Sequence, residues 1–200
     1  MRPIVITEFI SLDGVVEAPG GGNHEHAGWT FKDVEFDPAA YEIKGREQQD
    51  AAALLLGRVS FEEFAPVWPS MDEFATYKAL PKFVVSTSLT QDAVTASGWA
   101  HSHLLTTLDD VRKLRDGAHG DGSHFSDVTD SPVLVHGSPT LAASLASAGL
   151  VNRYTLLTFP VILGGGKRLF ADDGIKTRLT LVESQQFANG INLAVFDVAR

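Results

Sequence analysis

The chain has 200 residues, 44% of them hydrophobic, with 16 Lys+Arg against 25 Asp+Glu for a formal charge of -9, and it has no cysteine. Length and apolar content fit one domain, residues 1–200, around a single core. The acidic balance excludes a general electrostatic grip on nucleic acid or anionic lipid, and the missing cysteine excludes disulfides and thiol chemistry.

The N-terminal apolar run is interrupted by Glu8 and lacks the long apolar segment and small-residue cleavage site of a signal peptide. No stretch reaches transmembrane length, so a cytoplasmic protein with no membrane partner is expected. Ile4 to Ile10 is β-branched and reads as a strand. Ser11 to Phe36 is Gly-rich and reads as one long loop of the kind that often carries function. Asp37-Pro38 is an N-cap followed by Pro at the first helical position, which opens a helix to about Asp50.

Ala52 to Leu56 reads as a buried strand that breaks at Gly57-Arg58, and Ser60 with Glu63 fits a capping box for a short helix behind it. Pro66 and Pro69 bound that helix, and a second helical piece lies near Asp72 to Ala79. Lys82 to Ser86 and Trp99 to Thr106 read as strands, and Leu108 to Arg115 as a helix. Residues 117–131 are polar and without periodicity, which fits a surface insertion. Pro132 to His136 is a strand, and Gly137-Ser138-Pro139 starts a helix that Gly149 ends.

Arg153 to Phe159 is the next strand, followed by the turn Gly164-Gly165-Gly166. Arg178 to Gln186 and Ile191 to Ala199 form a hairpin around Asn189-Gly190. Strands separated by helices predict an α/β fold, a mixed but mainly parallel sheet flanked by helices with an antiparallel C-terminal hairpin.

In an open α/β sheet, ligands gather beyond the carboxyl ends of the strands, where the next helices point free N–H groups at them. Three strand ends have suitable residues: Gly57, Arg58 and Ser60; Ser86, Thr87 and Ser88; Gly137 and Ser138. Taken singly, a helix cap, a solvated cation and ordinary turn hydroxyls explain each about as well. Three together suit an extended ligand with several phosphates. Gly164-Gly165-Gly166-Lys167 is not a phosphate loop of the NTPase kind, since Val161 and Arg168 stand where Gly and Ser/Thr are needed.

The blocks SLDG (11–14), LLGRVS (55–60) with Trp68-Pro69, KFVVS (82–86) and VHGSPTLAASLASAGLVNRYTLLTFPVILGGGKRLF (135–170) resemble the dihydrofolate-reductase-like family, in particular the C-terminal reductase domain of the bifunctional riboflavin-biosynthesis deaminase-reductases. The likeness spans nearly the whole chain and is weakest between residues 90 and 131. It implies NADPH as cofactor. It places Gly57, Arg58 and Ser60 at the cofactor phosphates, Ser86, Thr87 and Ser88 near the 2'-phosphate, and Gly137 and Ser138 at the pyrophosphate. Leu163, Gly164 and Gly165 join the same cofactor set by this resemblance, which also implies hydride transfer to a small heterocyclic or carbonyl substrate.

Such a transfer needs a proton donor or polarising group beside the acceptor atom. Asp13, directly after the first strand, is one candidate, with an Asp-Gly turn as its plain alternative. Asp33, beyond Trp29 in the loop, is the other. His24/His26 and His101/His103 are alternate-residue pairs without a visible third ligand, so no metal site is expected. A non-catalytic NADP(H)-binding or redox-responsive regulatory protein is the alternative function. The terminal hairpin is apolar on both alternations, which predicts a cover, and a second copy of the chain, a homodimer, is the simplest one.

Overall fold

The computed structural model describes residues 1–117, 130–170 and 172–199, so most of the expected insertion at 117–131 lies outside the described residues. Its centre is an eight-stranded sheet in the order β4-β3-β2-β5-β1-β6-β8-β7. The strands are β1 (Ile4–Ser11), β2 (Ala53–Gly57), β3 (Lys82–Val85), β4 (Ser102–Leu105), β5 (Val133–His136), β6 (Arg153–Phe159), β7 (Leu179–Gln186) and β8 (Asn192–Val198). β1 to β6 pair in parallel, and β8 runs antiparallel between β6 and the edge strand β7. The α/β reading and the antiparallel hairpin are therefore both present.

β1 lies between β5 and β6, and its IVITEFIS sequence is buried on both faces, as a central parallel strand requires. Alternate side chains feed two layers. Ile4, Ile6, Ala53, Leu55, Val133 and Val135 join Val111, Leu114, Leu141 and Leu145 of α6 (Leu108–Asp116) and α7 (Pro139–Ser147). On the opposite face, Val5, Leu54, Leu56, Val84 and Leu134 pack with Phe61 of α3 (Arg58–Phe64) and Tyr77 of α4 (Ala75–Ala79). Ala40 and Ile43 of α2 (Pro38–Asp50) cover Leu157, Phe159, Leu193 and Val195 on β6 and β8.

α2 starts as its sequence predicts: the Asp37 carboxylate accepts from Ala39 N–H at 3.0 Å, with Pro38 next. Four local readings need correction. The loop 11–36 contains a short helix, α1 (Trp29–Lys32), because Trp29 is pulled fully into the core and donates its indole N–H to the Glu17 carbonyl. A further helix, α5 (Gln91–Ala96), is capped by Thr90. β4 is shorter than Trp99 to Thr106: Trp99 is buried in the preceding turn and His101 takes a left-handed φ of 59°, so only His103 of that pair lies on the strand. Ser60 does not cap α3, whose N-cap is Gly57.

Candidate functional site

The carboxyl ends of β2 and β5 are neighbours, and two serines lock the loops that leave them. Gly57 N–H donates to Ser138 Oγ at 2.9 Å, and Ser138 N–H donates to Ser60 Oγ at 2.9 Å. Both serines are buried by this exchange. It explains why Ser60 and Ser138 leave the starts of α3 and α7 without a side-chain cap. The Gly57 and Ser138 N–H groups are thereby taken, and α3 and α7 start side by side with no side-chain cap among the described residues.

Gly137 and Ser138 are both left-handed, with φ of 65° and 64°. A Cβ on Gly137 would sit 3.2 Å from Phe64 Cζ and Ser60 Oγ, so glycine keeps the crossing of the two loops open. Arg58 is exposed and paired with Glu62 at 2.7 Å, one helical turn on. Ser86 is buried, and its hydroxyl accepts from Ser88 N–H and Leu89 N–H at 3.1 Å each, which is turn chemistry; Thr87 and Ser88 are exposed. Lys82, at the opposite end of β3, does not reach this region. Its buried ammonium donates to the Tyr77 and Lys78 carbonyls at the end of α4, and burial lowers its pKa to about 8.

The Gly-rich turn after β6 is held by the loop after β1. The Asp13 carboxylate accepts from Ser11 Oγ at 2.7 Å, Leu163 N–H at 3.1 Å and Gly164 N–H at 2.9 Å, and lies 3.7 Å from the Arg168 guanidinium. Ser11 and these amides hold its pKa down at about 2. Glu17 accepts from Lys167 N–H at 2.9 Å. A Cβ on Gly166 would come within 2.8 Å of His24 Nε2 and Val15 Cγ1, so this turn needs glycine for close approach. Between the turn and α7 runs a groove of about 510 Å³, bordered by Thr140, Ser144, Ser147, Lys167 and Arg168.

The structure thus brings Gly57, Ser60, Gly137 and Ser138 together, and separately joins Asp13 to Leu163 and Gly164. Asp33 lies apart from both, exposed at the end of α1. Among the described residues, no three His, Cys, Asp or Glu side chains converge as metal ligands.

Sequence reading missed a buried polar cluster on the α2 face of the sheet. Thr7 and His136 are register partners on β1 and β5. Thr7 Oγ1 donates to Glu47 Oε2 at 2.6 Å and accepts from Lys44 Nζ, and Lys44 lies 3.5 Å from Glu47. Burial, with the nearby Lys44 charge adding to it, pushes the His136 imidazole down to about 3, so it is neutral at physiological pH. On the other face of β1, Glu8 is 1% exposed and burial raises its pKa to about 8, against the pull of Lys44 and a hydrogen bond from the Gly137 amide. The one-dimensional signals were faint: a Glu inside an apolar strand and a His closing another.

This sheet, with its helices and converging strand ends, is the dihydrofolate-reductase-like fold of RibD-type reductase domains. The RibD C-terminal domain family matches residues 2–116 and 125–193, and the chain belongs to that family. It is 26% identical over 200 residues to an uncharacterized protein, YyaP, of Bacillus subtilis (strain 168), covering 98% of this chain and 94% of that one. Among solved structures, a putative riboflavin biosynthesis protein from Shewanella sp. PV-4 superposes with a TM-score of 0.72 at 15% identity, over 99% of both chains. A pyrimidine reductase-like protein from Corynebacterium diphtheriae gives 0.65 at 13% identity, over 99% of this chain and 92% of its own. Acinetobacter baumannii RibD gives 0.63 at 13% identity; all of this chain matches 58% of that longer one. At these identities the likeness to the solved structures is one of fold.

Proposed function

We propose that the chain is a cytoplasmic NADPH-dependent reductase that delivers a hydride to a small heterocyclic or carbonyl substrate. Membership of the RibD C-terminal family supports the reaction class. The observation that carries the cofactor reading is the pair of uncapped helix starts at Gly57 and Ser138, locked side by side because the Ser138 and Ser60 hydroxyls accept from Gly57 N–H and Ser138 N–H. Two sets of amides and two positive helix ends suit a pyrophosphate, and glycine at 57 and 137 lets it approach the backbone.

In this reading Arg58, Thr87 and Ser88 form the exposed edge that recognises the 2'-phosphate. Ser60, Ser86 and Ser138 shape the loops from within, and Leu163, Gly164 and Gly165 form the far wall that Asp13 fastens. NADPH supplies the hydride when bound. A carboxyl held near pH 2 is ionised at neutral pH, so we place Asp13 as a loop fastener and leave Asp33 as the acid candidate.

Titration of NADPH and NADH by fluorescence tests this reading on wild type and on Arg58→Ala and Ser88→Ala. The expected result is tighter NADPH binding, reduced by either substitution. Equal affinity for the two cofactors would refute the NADPH assignment. Bound NADPH left unoxidised by every member of a broad carbonyl and heterocycle panel would favour a non-catalytic binding protein.

We also infer a homodimer. β7 is an eight-residue edge strand with almost every residue exposed, and Leu181 and Val182 are 54% and 52% exposed beside the bulge that follows Leu181. Such an edge is an aggregation hazard unless covered, and a second copy supplies a self-complementary cover.

A further inference from the structure

The sheet ends in two edge strands, β4 and β7, and they are finished differently. At the β4 edge, the His101 and Leu105 carbonyls accept from Lys82 N–H and Ser86 N–H at the two ends of β3, so these alternate residues face inward. Ser102 and Leu104 therefore direct their backbone groups outward, where a further strand would pair with them. A side chain takes that place. Gln91, the first residue of α5, accepts from Leu104 N–H through Oε1 at 2.8 Å and donates from Nε2 to the Ser102 carbonyl at 3.3 Å.

A carboxamide carries the same donor and acceptor as a peptide group. In a parallel pair, one residue donates its N–H to the carbonyl before its partner and accepts from the N–H after it, and the Gln91 amide makes this same pair of bonds about His103. Its position is fixed by the start of α5. Thr90 Oγ1 caps that helix by accepting from Ala93 N–H at 3.2 Å, and Gln91 Nε2 also donates to Thr95 Oγ1 at 3.2 Å. β7 is eight residues long against four for β4, and among the described residues no side chain bonds to its backbone.

We propose that the Gln91 side chain is a surrogate strand that closes the β4 edge and confines self-pairing of this protein to β7. The second half of the statement rests on the homodimer reading, and the first does not. An exposed strand edge is a template for pairing with another chain. With both edges open, each copy would pair twice, once on each side of its sheet, and the sheets would join end to end without limit. With β4 closed, assembly stops at two copies. Without the Gln91 amide, the outward Ser102 and Leu104 groups of one copy meet the same groups of a second copy in an antiparallel β4–β4 contact about a two-fold axis.

The test is sedimentation of the full chain over a micromolar-to-millimolar concentration series, for wild type, Gln91→Ala, Leu181→Asp and the two substitutions together. Wild type should stop at the dimer, Gln91→Ala should form larger species, Leu181→Asp should be a monomer, and the double variant should pair again through β4. Amide hydrogen exchange gives a second readout at the lowest concentration. Leu104 N–H should exchange roughly tenfold faster in Gln91→Ala, having lost its acceptor, while Leu105, which faces β3, keeps its wild-type rate and shows that the variant is folded. Gln91→Met keeps the length of the side chain without its amide and should behave as Gln91→Ala does. Equal masses for wild type and both Gln91 variants across the series, or unchanged Leu104 exchange, would overturn the proposal. A monomeric wild type beside a Gln91→Ala variant that pairs would instead remove the homodimer reading and leave the closed β4 edge standing.

Discussion

Glu8→Gln removes a titrating carboxyl while keeping its shape, and its consequence for stability can be worked from the environment of that residue. Glu8 is 1% exposed, and burial lifts its pKa from 4.5 to about 8. Between those values the unfolded chain has lost a proton that the folded chain keeps, so stability falls as pH rises, by about 1.4 kcal/mol per unit. His136 acts in the opposite direction lower down. Its pKa falls from 6.5 to about 3, so the unfolded chain binds the extra proton in that range and stability rises with pH. The two slopes cancel between 4.5 and 6.5, and Glu8 alone remains from 6.5 to 8, where roughly 2 kcal/mol should be lost. Lys82, lowered to about 8 from 10.5, contributes only above that window. Urea unfolding followed by the fluorescence of the buried Trp29, Trp68 and Trp99 measures this from pH 5 to 8. Wild type should be level to pH 6.5 and then decline, while Glu8→Gln should rise to 6.5 and then stay level. Parallel curves for the two proteins would refute the reasoning, because they would mean that Glu8 ionises normally in the fold.

Asp13→Asn should cost about 1–2 kcal/mol at pH 7, less than the full shift of its pKa because solvent reaches the side chain. That stability is present above pH 3.8 and is lost as pH falls towards 2, so wild-type and variant urea midpoints should converge in acid; equal midpoints at pH 7 would refute the clamp. Gly137→Ala, which forces a side chain into φ of 65° and against Phe64 and Ser60, should destabilise by about 1–3 kcal/mol and weaken NADPH binding. A fully stable variant that binds NADPH normally would show that the loop crossing has room to spare. Leu181→Asp should turn the proposed dimer into a monomer by light scattering, and a monomeric wild type at micromolar concentration would end that proposal.

The fold was legible because its signals are local. Asp37-Pro38 and Asn189-Gly190 fix a helix start and a hairpin within a few residues, and the β-branched run of β1 marks a strand buried on both faces. The strand ends were legible as places, while the hydroxyl roles were not. Ser60 fits a capping box by spacing, but spacing holds no record of Ser138, 78 residues away, which takes its hydroxyl. Thr7, Lys44, Glu47 and His136 were invisible for the same reason. The nearest of these contacts, Lys44 with Glu47, looks like a surface i,i+3 pair until the register of β1 with β5 sets Thr7 beside His136.

Asp13 and Glu8 show why sequence position alone could not rank the acids. They lie five residues apart, Glu8 within β1 and Asp13 in the turn just beyond it, and the fold moves them in opposite directions. Asp13 finds Ser11 and two backbone amides whose hydrogen bonds favour its charged form, whereas for Glu8 desolvation outweighs the pull of Lys44 and the Gly137 amide. At neutral pH the proton therefore resides on the residue that looked like a flaw in a strand, and the residue in the conspicuous SLDG turn has none to give. The environment of each carboxyl, not its place in the sequence, therefore decides which one is ionised at neutral pH. Glu8 receives a hydrogen bond from the Gly137 amide, so gain or loss of its proton acts directly on the turn that carries the proposed cofactor site. Wild-type NADPH affinity should therefore change through pH 8, and the change should vanish in Glu8→Gln; pH titrations of both proteins that superpose would separate the carboxyl from the turn.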